Sequence, residues 1–396
     1  MRDIPYEIRL TDDPALLDAA AWDALVDADP DGNPFMRHAF LAALQSSGAA
    51  TAETGWYAQY LSLWRDGRLQ AAVPLYAKAH SYGEYVFDWA WADAQERMGM
   101  PYYPKWLVAV PFTPVAGTRI LACDAAARVA AVDALLGLVR SQELSSLHVL
   151  FAPPPQIAAL AEAGMLVRRT VQFHWNNRGY GDFGAFLDAL TQPKRKKIRA
   201  ERRKVEQAAV TLERRVGTAI GAADWRFFVR CYEHTYAMHG GPPYLNLAFF
   251  QTIARQMPEN LMLVLASRGG QPIASALGVF DRPRGVLYGR YWGALEPVDC
   301  LHFECCYYQM IDFAIEQGLQ VFEGGAQGAH KLARGLDPVE TQSAHWLRDP
   351  AMHAAVRRFV AREQATVAAA IDELNEHRAL RAAADAPDPG APPAMA

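Results

Sequence analysis

The chain of 396 residues contains an internal repeat, and this repeat limits the folds that are open to it. A hairpin with a glycine turn at Trp64–Pro74 matches a second one at Ser267–Ser275. The dipeptide His174-Trp175 recurs further along as His345-Trp346. Self-similarity in the same order predicts two copies of one supersecondary unit.

Two further features complete the repeat. They are the turn Gly32-Asn33-Pro34 with Phe40, which matches Gly241-Pro242-Pro243 with Phe249, and an aromatic strand predicted at Tyr85–Trp91, which matches Leu287–Trp292. The distance from hairpin glycine to His-Trp tryptophan is 108 residues from Gly67 to Trp175 and 76 from Gly270 to Trp346. We therefore place an insertion in the first copy, most simply in the Tyr102–Ala122 region.

Each half reads as two helices, antiparallel strands, a third strand, a long helix, a strand, a helix and a last strand. This order predicts a mixed α+β fold with helices flanking the sheet. No GxGxxG follows a predicted strand, so a dinucleotide-binding fold is not supported. We divide the chain into residues 1–180, residues 181–350 with a basic helix at 194–209, a terminal helix at 351–384 and a disordered tail at 385–396.

The composition is that of a globular protein, with 51% hydrophobic and 21% charged residues. The net charge of -4 gives no overall attraction to nucleic acid. The five cysteines include no CxxC pair, which argues against a disulfide framework and a zinc knuckle. No apolar run is long enough to span a membrane. We expect a cytoplasmic, metal-independent protein without a tightly bound cofactor; the oligomeric state is not indicated.

A candidate active site lies in the stretch Val321–Leu347. Glu323 follows a short apolar strand and precedes two glycines, whose freedom permits close approach of a substrate. His330, Lys331 and Arg334 cluster on about one helical turn after it. An acid and a histidine suit proton transfer, with Glu323 preferred as the base, and the two cations suit anion binding. The alternative is a solvated ion pair between Glu323 and Lys331 or Arg334.

Further candidates lie outside this stretch. Either Tyr291 or Tyr288 is predicted to protonate the leaving group, with Tyr291 preferred. The predicted substrate-binding residues are Tyr288, His239, Tyr244, Asp88 and Trp91. Of these, Asp88 and Trp91 form an acidic and aromatic patch suited to a cationic amine. For each candidate, packing or an ordinary helix end is the alternative reading.

The helix predicted at Lys194–Ala209 is strongly basic. It carries eight lysines and arginines against two glutamates, in a chain that is acidic overall. Such one-sided charge indicates an anionic partner such as tRNA or a phosphate group, with a solvated linker helix as the alternative. The predicted anion-binding residues are Lys194, Lys197, Arg199, Arg202 and Arg203.

The order of elements resembles the GNAT acyltransferase fold, and its duplication resembles the FemAB-like group of predicted N-acyltransferases. The resemblance covers about residues 5 to 380 and is carried by these motifs: DWAWADA at Asp88–Ala94, YYPK at Tyr102–Lys105, AVPFTPV at Ala109–Val115, PKRKKIRAERRKV at Pro193–Val205, FEGGAQGAHKLARG at Phe322–Gly335 and SAHW at Ser343–Trp346. It implies two tandem GNAT-like domains and transfer of an acyl or aminoacyl group to a small-molecule amine. Fem-type enzymes use aminoacyl-tRNA and a peptidoglycan precursor, whereas other GNAT proteins use acyl-CoA.

One departure from the family pattern concerns the donor. CoA-binding GNAT enzymes carry a glycine-patterned loop before a helix, but Gly293–Glu304 lacks it and includes Glu296 and Asp299. Acyl-CoA and aminoacyl-tRNA both stay open as donors. Two alternatives to a general N-acyltransferase remain: an aminoacyl-tRNA-dependent Fem-type ligase, and a non-catalytic GNAT-like binding protein.

Overall fold

The computed structural model describes residues 6–325, 328–376 and 379–380. Within these residues the strands are β1 Glu7–Thr11, β2 Trp56–Ala58, β3 Tyr60–Arg65, β4 Arg68–Val73, β5 Leu75–Lys78, β6 Lys105–Val108, β7 Leu121–Ala122, β8 Ser146–Val149, β9 Leu166–Asn176, β10 Val210–Val216, β11 Leu261–Arg268, β12 Gln271–Asp281, β13 Val286–Ala294, β14 Val321–Glu323 and β15 Asp337–Leu347.

The α-helices of the same residues are α1 Ala19–Ala28, α2 His38–Ser46, α3 Trp89–Arg97, α4 Ala125–Ser141, α5 Pro154–Glu162, α6 Phe183–Ala189, α7 Gln192–Gln207, α8 Ala222–Met238, α9 Leu247–Gln256, α10 Leu301–Phe303, α11 Gln309–Glu316 and α12 Pro350–Glu376. A π-helical turn at Glu304–Tyr308 joins α10 to α11. Short 3-10 helices occupy Pro14–Leu16, Pro34–Met36, Ala52–Thr54, Gly217–Ala219, Pro258–Asn260 and Ala329–Arg334.

The strands form one large and one small sheet. The large sheet has eleven strands in the order β10-β11-β12-β13-β14-β9-β15-β8-β6-β5-β2, and the small one has the order β1-β3-β4-β7. Among the described strand pairs, β13 with β14 and β6 with β8 are parallel, and the others are antiparallel. The predicted α+β class with mostly antiparallel strands flanked by helices is confirmed.

The two halves of the chain exchange strands at the centre of the large sheet. Strand β9 of the first half lies between β14 and β15, and β15 in turn lies between β9 and β8. Outward from the antiparallel pair β9 and β15, the parallel pair β14 and β13 on one side matches β8 and β6 on the other. The topology is that of a duplicated unit, as the repeat predicts. The two halves, whose predicted boundary lies near residue 180, therefore share one sheet.

The two repeated hairpins use the same turn. Asp66 and Gly67 both have positive φ between β3 and β4, and Gly269 and Gly270 both have positive φ between β11 and β12. A two-residue turn of this kind matches the twist of an antiparallel hairpin. The strands that follow differ, because Pro74 divides β4 from β5, whereas β12 runs unbroken for 11 residues. Proline has no N–H to donate to a strand ladder.

The predicted aromatic strand at Tyr85–Trp91 is wrong. The chain there forms a loop and then enters α3 at Trp89. The counterpart of β13 is β6, so most of the extra residues of the first copy lie between Lys78 and Lys105, ahead of the predicted Tyr102–Ala122 region. Aromatic residues are enriched in strands, so the run 85–91 has the composition of one, but strand propensity depends strongly on context and here the run forms a loop and the start of α3.

Three apolar clusters hold the layers together. The largest joins the two halves on one face of the large sheet and includes Trp22, Phe40, Phe249 and Tyr288. A second lies under α6, α7 and α11, and a third under α4 and α5. Because the first cluster draws residues from both halves, the halves share a core as well as a sheet.

The terminal helix α12 ends at Glu376 within the described part of the chain, and the predicted tail 385–396 lies outside the described residues. Arg168 on β9 forms two 2.7 Å hydrogen bonds with Glu363 of this helix. In the residues that the structure describes, no helix has the length and apolar character needed to cross a membrane.

Candidate active site

The site is built where β13 and β14 diverge. The two strands pair only from Val286–Tyr288 to Val321–Glu323, after which β14 ends and β13 continues. A bulge displaces β13 at the same level, since Tyr291 pairs with Leu277 and Gly289 with Gly278. A bulge bends its strand and re-aims nearby side chains. The divergence leaves a small cavity of about 130 Å³ between the strands.

Glu323 is the last residue of β14 and is fixed by pairing on both sides, to Tyr288 and to His174. Its side chain is 13% exposed, and Oε2 is buried without a hydrogen-bond partner among the described residues. The carboxylate lines a cavity of about 500 Å³ together with Asp31, Arg284, Tyr288, Glu340 and Gln342. A buried carboxylate oxygen without a hydrogen-bond partner costs free energy, so its presence calls for a functional explanation.

Burial raises the pKa of Glu323 to about 8, because a charged carboxylate loses its hydration. Positive charge on Arg290 and Arg119 opposes this shift in part. His174 does not add to that charge, since burial lowers its pKa to about 4 and leaves the ring neutral. A carboxyl group of this pKa exchanges its proton near neutrality, as a general base requires.

His330 lies on the other face of the sheet from Glu323. Its Nε2 is 3.1 Å from the Tyr307 hydroxyl, and its ring packs against Phe303. Phe322 points into this layer, and Glu323 points away from it because neighbouring side chains of a strand alternate. The predicted single acid-histidine cluster is therefore not formed. His330 is exposed, and its pKa is lowered by burial of the ring and by Arg334 and Lys331.

The two predicted anion-binding cations of this segment are buried. Arg334 donates to both oxygens of Glu201, at 2.8 and 2.9 Å, and stacks over Phe303. Burial lowers the pKa of Lys331 to about 8, and its Nζ lies 5.8 Å from the Phe173 ring centre. Arg334 thus anchors α7 through Glu201 and is engaged rather than open to an anion.

The two predicted tyrosines take different positions. Tyr291 lines the small cavity between the strands and donates to the Phe112 carbonyl oxygen at 3.2 Å. Tyr288 is buried beside Glu323 and meets Phe35 edge to face. Burial raises the pKa of Tyr288 well above its usual value. Tyr288 therefore lines the same cavity as Glu323, whereas Tyr291 follows the bulge of β13 and lines the smaller cavity.

The basic helix α7 begins at Gln192, two residues before the predicted start, and ends at Gln207. Some of its charges are matched: Arg202 pairs with Glu304 at 3.2 Å, and Arg199 lies 3.9 Å from Asp188. Within the described residues no ion pair engages Lys194, Lys197 or Arg203. The positive charge of Lys197 acts on His330, so α7 brings a free cation to the exposed histidine.

His239 and Tyr244 line a different cavity, of about 710 Å³, between the halves. Tyr244 stacks on Phe112 at 4.8 Å between ring centres. The Phe112 carbonyl oxygen accepts from Arg290 at 2.8 Å, so one residue separates this cavity from the divergence of β13 and β14. The two predicted substrate-binding residues therefore lie at a cavity, but not beside Glu323.

The predicted amine site at Asp88 and Trp91 is not formed. Asp88 accepts from Lys105 Nζ and from the Tyr102 hydroxyl at 2.6 Å, and all three groups are buried. Trp91 packs edge to face against His345 in the adjoining core. The Asp88 carboxylate already has a cation, so a ligand amine has no place beside it.

Several polar residues here were missed from the sequence. Lys78, Glu84 and Lys105 are buried under the first half, and Arg119 and Arg290 lie near Glu323. The YYPK motif that ends at Lys105 was the one available signal. The others are single charged residues in mixed segments, and nothing in their spacing distinguishes them from surface residues.

The fold is similar to that of two proteins of known structure. The crystal structure of FemX has a TM-score of 0.56 at 13% identity and covers 86% of this chain and 98% of its own. The structure of L-PGS from Bacillus licheniformis has a TM-score of 0.53 at 11% identity and covers 87% of this chain and 97% of its own. No curated protein matches the chain. A model of the FemAB-like family, described as peptidoglycan biosynthesis/recognition, matches residues 14–382, and the chain therefore belongs to the FemAB-like family.

Proposed function

We propose that this protein is an N-acyltransferase that joins an acyl or aminoacyl group to an amine where β13 and β14 diverge. The observation that carries the proposal is Glu323, which lines a cavity of about 500 Å³ at the end of β14 and has one buried oxygen without a hydrogen-bond partner among the described residues. Membership of the FemAB-like family supports a transferase. The role of each residue is our own assignment.

In this proposal Glu323 removes the proton of the acceptor amine. An amine enters as an ammonium ion, which suits a cavity lined by the carboxylates Glu323, Glu340 and Asp31 against one cation, Arg284. Glu323 takes the proton directly or through a water molecule, and the free amine then attacks the acyl carbonyl carbon. As the tetrahedral intermediate collapses, the bond from the acyl carbon to the donor oxygen or sulfur breaks, and the tRNA hydroxyl or CoA thiol leaves with the second proton of the amine. The shifted pKa of about 8 makes the carboxylate a stronger base than an ordinary glutamate.

The donor approaches from the opposite face of the sheet, where α7 exposes several cations. Lys197 and His330 lie together there, and α7 extends the positive surface. The family resemblance and this charge favour an aminoacyl-tRNA donor over acyl-CoA. The loop 293–300 argues the same way: its two carboxylates, Glu296 and Asp299, precede the continuous helical stretch Leu301–Glu316, and negative charge at a helix start disfavours a phosphate there.

The test is product formation with each donor. Purified protein is incubated with aminoacylated tRNA or with acetyl-CoA, and with a lysine-containing peptide as the amine. Mass spectrometry detects the added group on the peptide. We expect transfer from aminoacyl-tRNA, abolished in Glu323→Gln and retained in Glu213→Gln, which changes an exposed glutamate on β10.

Two results would assign another function. Transfer from acetyl-CoA alone would make the protein a CoA-dependent acyltransferase. Absence of product with either donor, together with a raised melting temperature when the peptide is present, would indicate a binding protein that no longer catalyses transfer.

A further inference from the structure

A large cleft lies between the two halves and is not used by the proposed reaction. Its volume is about 710 Å³, within the range typical of small-molecule sites. The first half contributes Trp56, His80, Tyr82 and Phe112, and the second contributes the segment from Tyr236 to Tyr244. Aromatic rings therefore form much of the wall, and no Asp, Glu, Lys or Arg lines it.

A buried lysine lies directly behind this wall. Lys78 Nζ is 3.9 Å from the Trp56 ring centre, 3.2 Å from His80 Nδ1 and 3.4 Å from the Tyr82 carbonyl oxygen. All three neighbours line the cleft, while Lys78 itself has no exposed surface. A single layer of residues thus separates the Lys78 ammonium group from a molecule bound in the cleft.

Lys78 lacks a direct counter-ion. The nearby carboxylates Glu84 and Asp88 are both bound to Lys105, at 2.8 and 2.5 Å. Among the described residues none places a carboxylate within 4.0 Å of Lys78. A buried charge without a partner is costly, and it is normally paired or neutralised.

The groups around Lys78 bring its pKa close to neutral pH. Burial lowers its pKa to about 7; Lys105 adds to this effect, and Glu84 and Asp88 oppose it at longer range. His80 is neutral, because its Nε2 donates to the Thr54 carbonyl oxygen at 3.0 Å and its Nδ1 accepts from Lys78 and from the Tyr82 N–H. The pKa of His80 is itself lowered by burial and by Lys78.

We propose that the cleft binds a small organic anion with a planar apolar body, and that Lys78 takes up a proton when the anion binds. The aromatic walls receive the planar body by stacking. The negative group supplies the charge that Lys78 lacks, in a setting where low dielectric strengthens the attraction. Binding and protonation favour each other, because linkage between two sites is reciprocal.

The site is independent of the role proposed for Glu323. It needs no donor, and its test measures binding rather than transfer. A failure of the cleft proposal leaves the acyltransferase proposal in place, and the reverse also holds.

The experiment uses three probes of the same shape: benzoate, benzamide and benzylamine, which are anionic, uncharged and cationic. Isothermal titration calorimetry of the full chain at about pH 7.5 gives each affinity. Titrations of benzoate in Tris and in triethanolamine, which differ in ionisation enthalpy, give the protons taken up. We expect benzoate to bind about tenfold more tightly than benzamide, with net proton uptake, and benzylamine to bind most weakly.

Two lysine variants test whether Lys78 is the group that takes up the proton. Lys78→Met should reduce the benzoate affinity to that of benzamide and abolish proton uptake, whereas Lys196→Met on the exposed face of α7 should change neither. If Lys78→Met does not fold, the pH dependence in the wild-type protein decides, because benzoate affinity should fall as pH rises through about 7. Equal affinity for benzoate and benzamide, tighter binding of benzylamine, or no binding of benzoate would each overturn the proposal.

Discussion

Glu323 faces His174 across the junction of β14 and β9, with Oε2 3.9 Å from Nε2. The equivalent residues in the repeat are His345 on β15 and His148 on β8, which pair at the corresponding junction of the same sheet. Their Nδ1 atoms are 2.7 Å apart. Each of the two junctions joins a strand of the first half to a strand of the second and holds a titratable pair, but a carboxylate, Glu323 of the second half, is present at only one of them. This difference supports the second half as the place of proton transfer.

Replacement of Glu323 by glutamine should stabilise the fold at neutral pH. The folded-state pKa of about 8 lies above that of the unfolded chain, so the folded protein holds this proton where the unfolded chain has lost it. Stability is therefore lost as pH rises from about 4.5 to 8, and Gln does not titrate. We expect a gain of about 1–3 kcal/mol at pH 8 that disappears near pH 4.5, measured by urea unfolding. Equal stability of the two proteins at both pH values would contradict the shifted pKa.

Removal of Lys105 should strongly destabilise the first half. Its ammonium group is bound to Glu84 and Asp88 with no exposed surface, so Lys105→Met leaves buried carboxylates without a cation. We expect a loss of about 3–5 kcal/mol in the free energy of unfolding. The matched change Lys204→Met, in a surface pair with Asp299, should cost less than about 1 kcal/mol. Similar losses of stability in the two variants would contradict a greater contribution of the buried Lys105 pairs than of the exposed Lys204 pair.

Polyanion binding should depend on Lys197 and not on Arg334. Lys197→Ala removes an unpaired exposed cation, so it should weaken tRNA binding and lower the salt dependence by about one counterion, without loss of stability. Arg334→Met breaks the buried pair with Glu201 and should instead reduce stability. Filter binding across a salt series and thermal unfolding separate these effects. Arg255→Ala, an exposed change on α9, serves as the control.

Chain fragments cut near residue 180 should not fold separately. Strand β9 belongs to the first fragment but pairs with β14 and β15 of the second, and the largest apolar cluster draws on both. Fragments 1–180 and 181–396 should each lack a cooperative thermal transition and regain it when coexpressed. Two fragments that each unfold cooperatively alone would show independent domains.

The sequence was informative where the signal was local or repeated. The glycine turns at Gly67 and Gly270 and the His-Trp dipeptides marked equivalent strands correctly. The exchange of β9 and β15 was not predictable, because strand partners distant along the chain leave no local pattern. The aromatic run before α3 had the composition of a strand and folded otherwise.

The site was predicted in its parts but not in its arrangement. Glu323 and His330 are seven residues apart, and their clustering was predicted from this short separation along the chain. Alternation along β14 and the packing of Arg334 against Phe303 placed them on opposite faces. Charged residues such as Lys78 and Arg119 gave no signal, because burial of a single charged side chain depends on neighbours that are distant along the chain.

The pH dependence of amide formation by the wild-type protein and by Glu323→Gln tests the central claim most directly. The wild-type kcat/KM should rise with pH and level off above about 8, as Glu323 loses its proton. Glu323→Gln should be slower by at least about 100-fold and should lose this inflection. A variant that keeps the wild-type rate within about twofold, with the same pH profile, would remove Glu323 from the reaction.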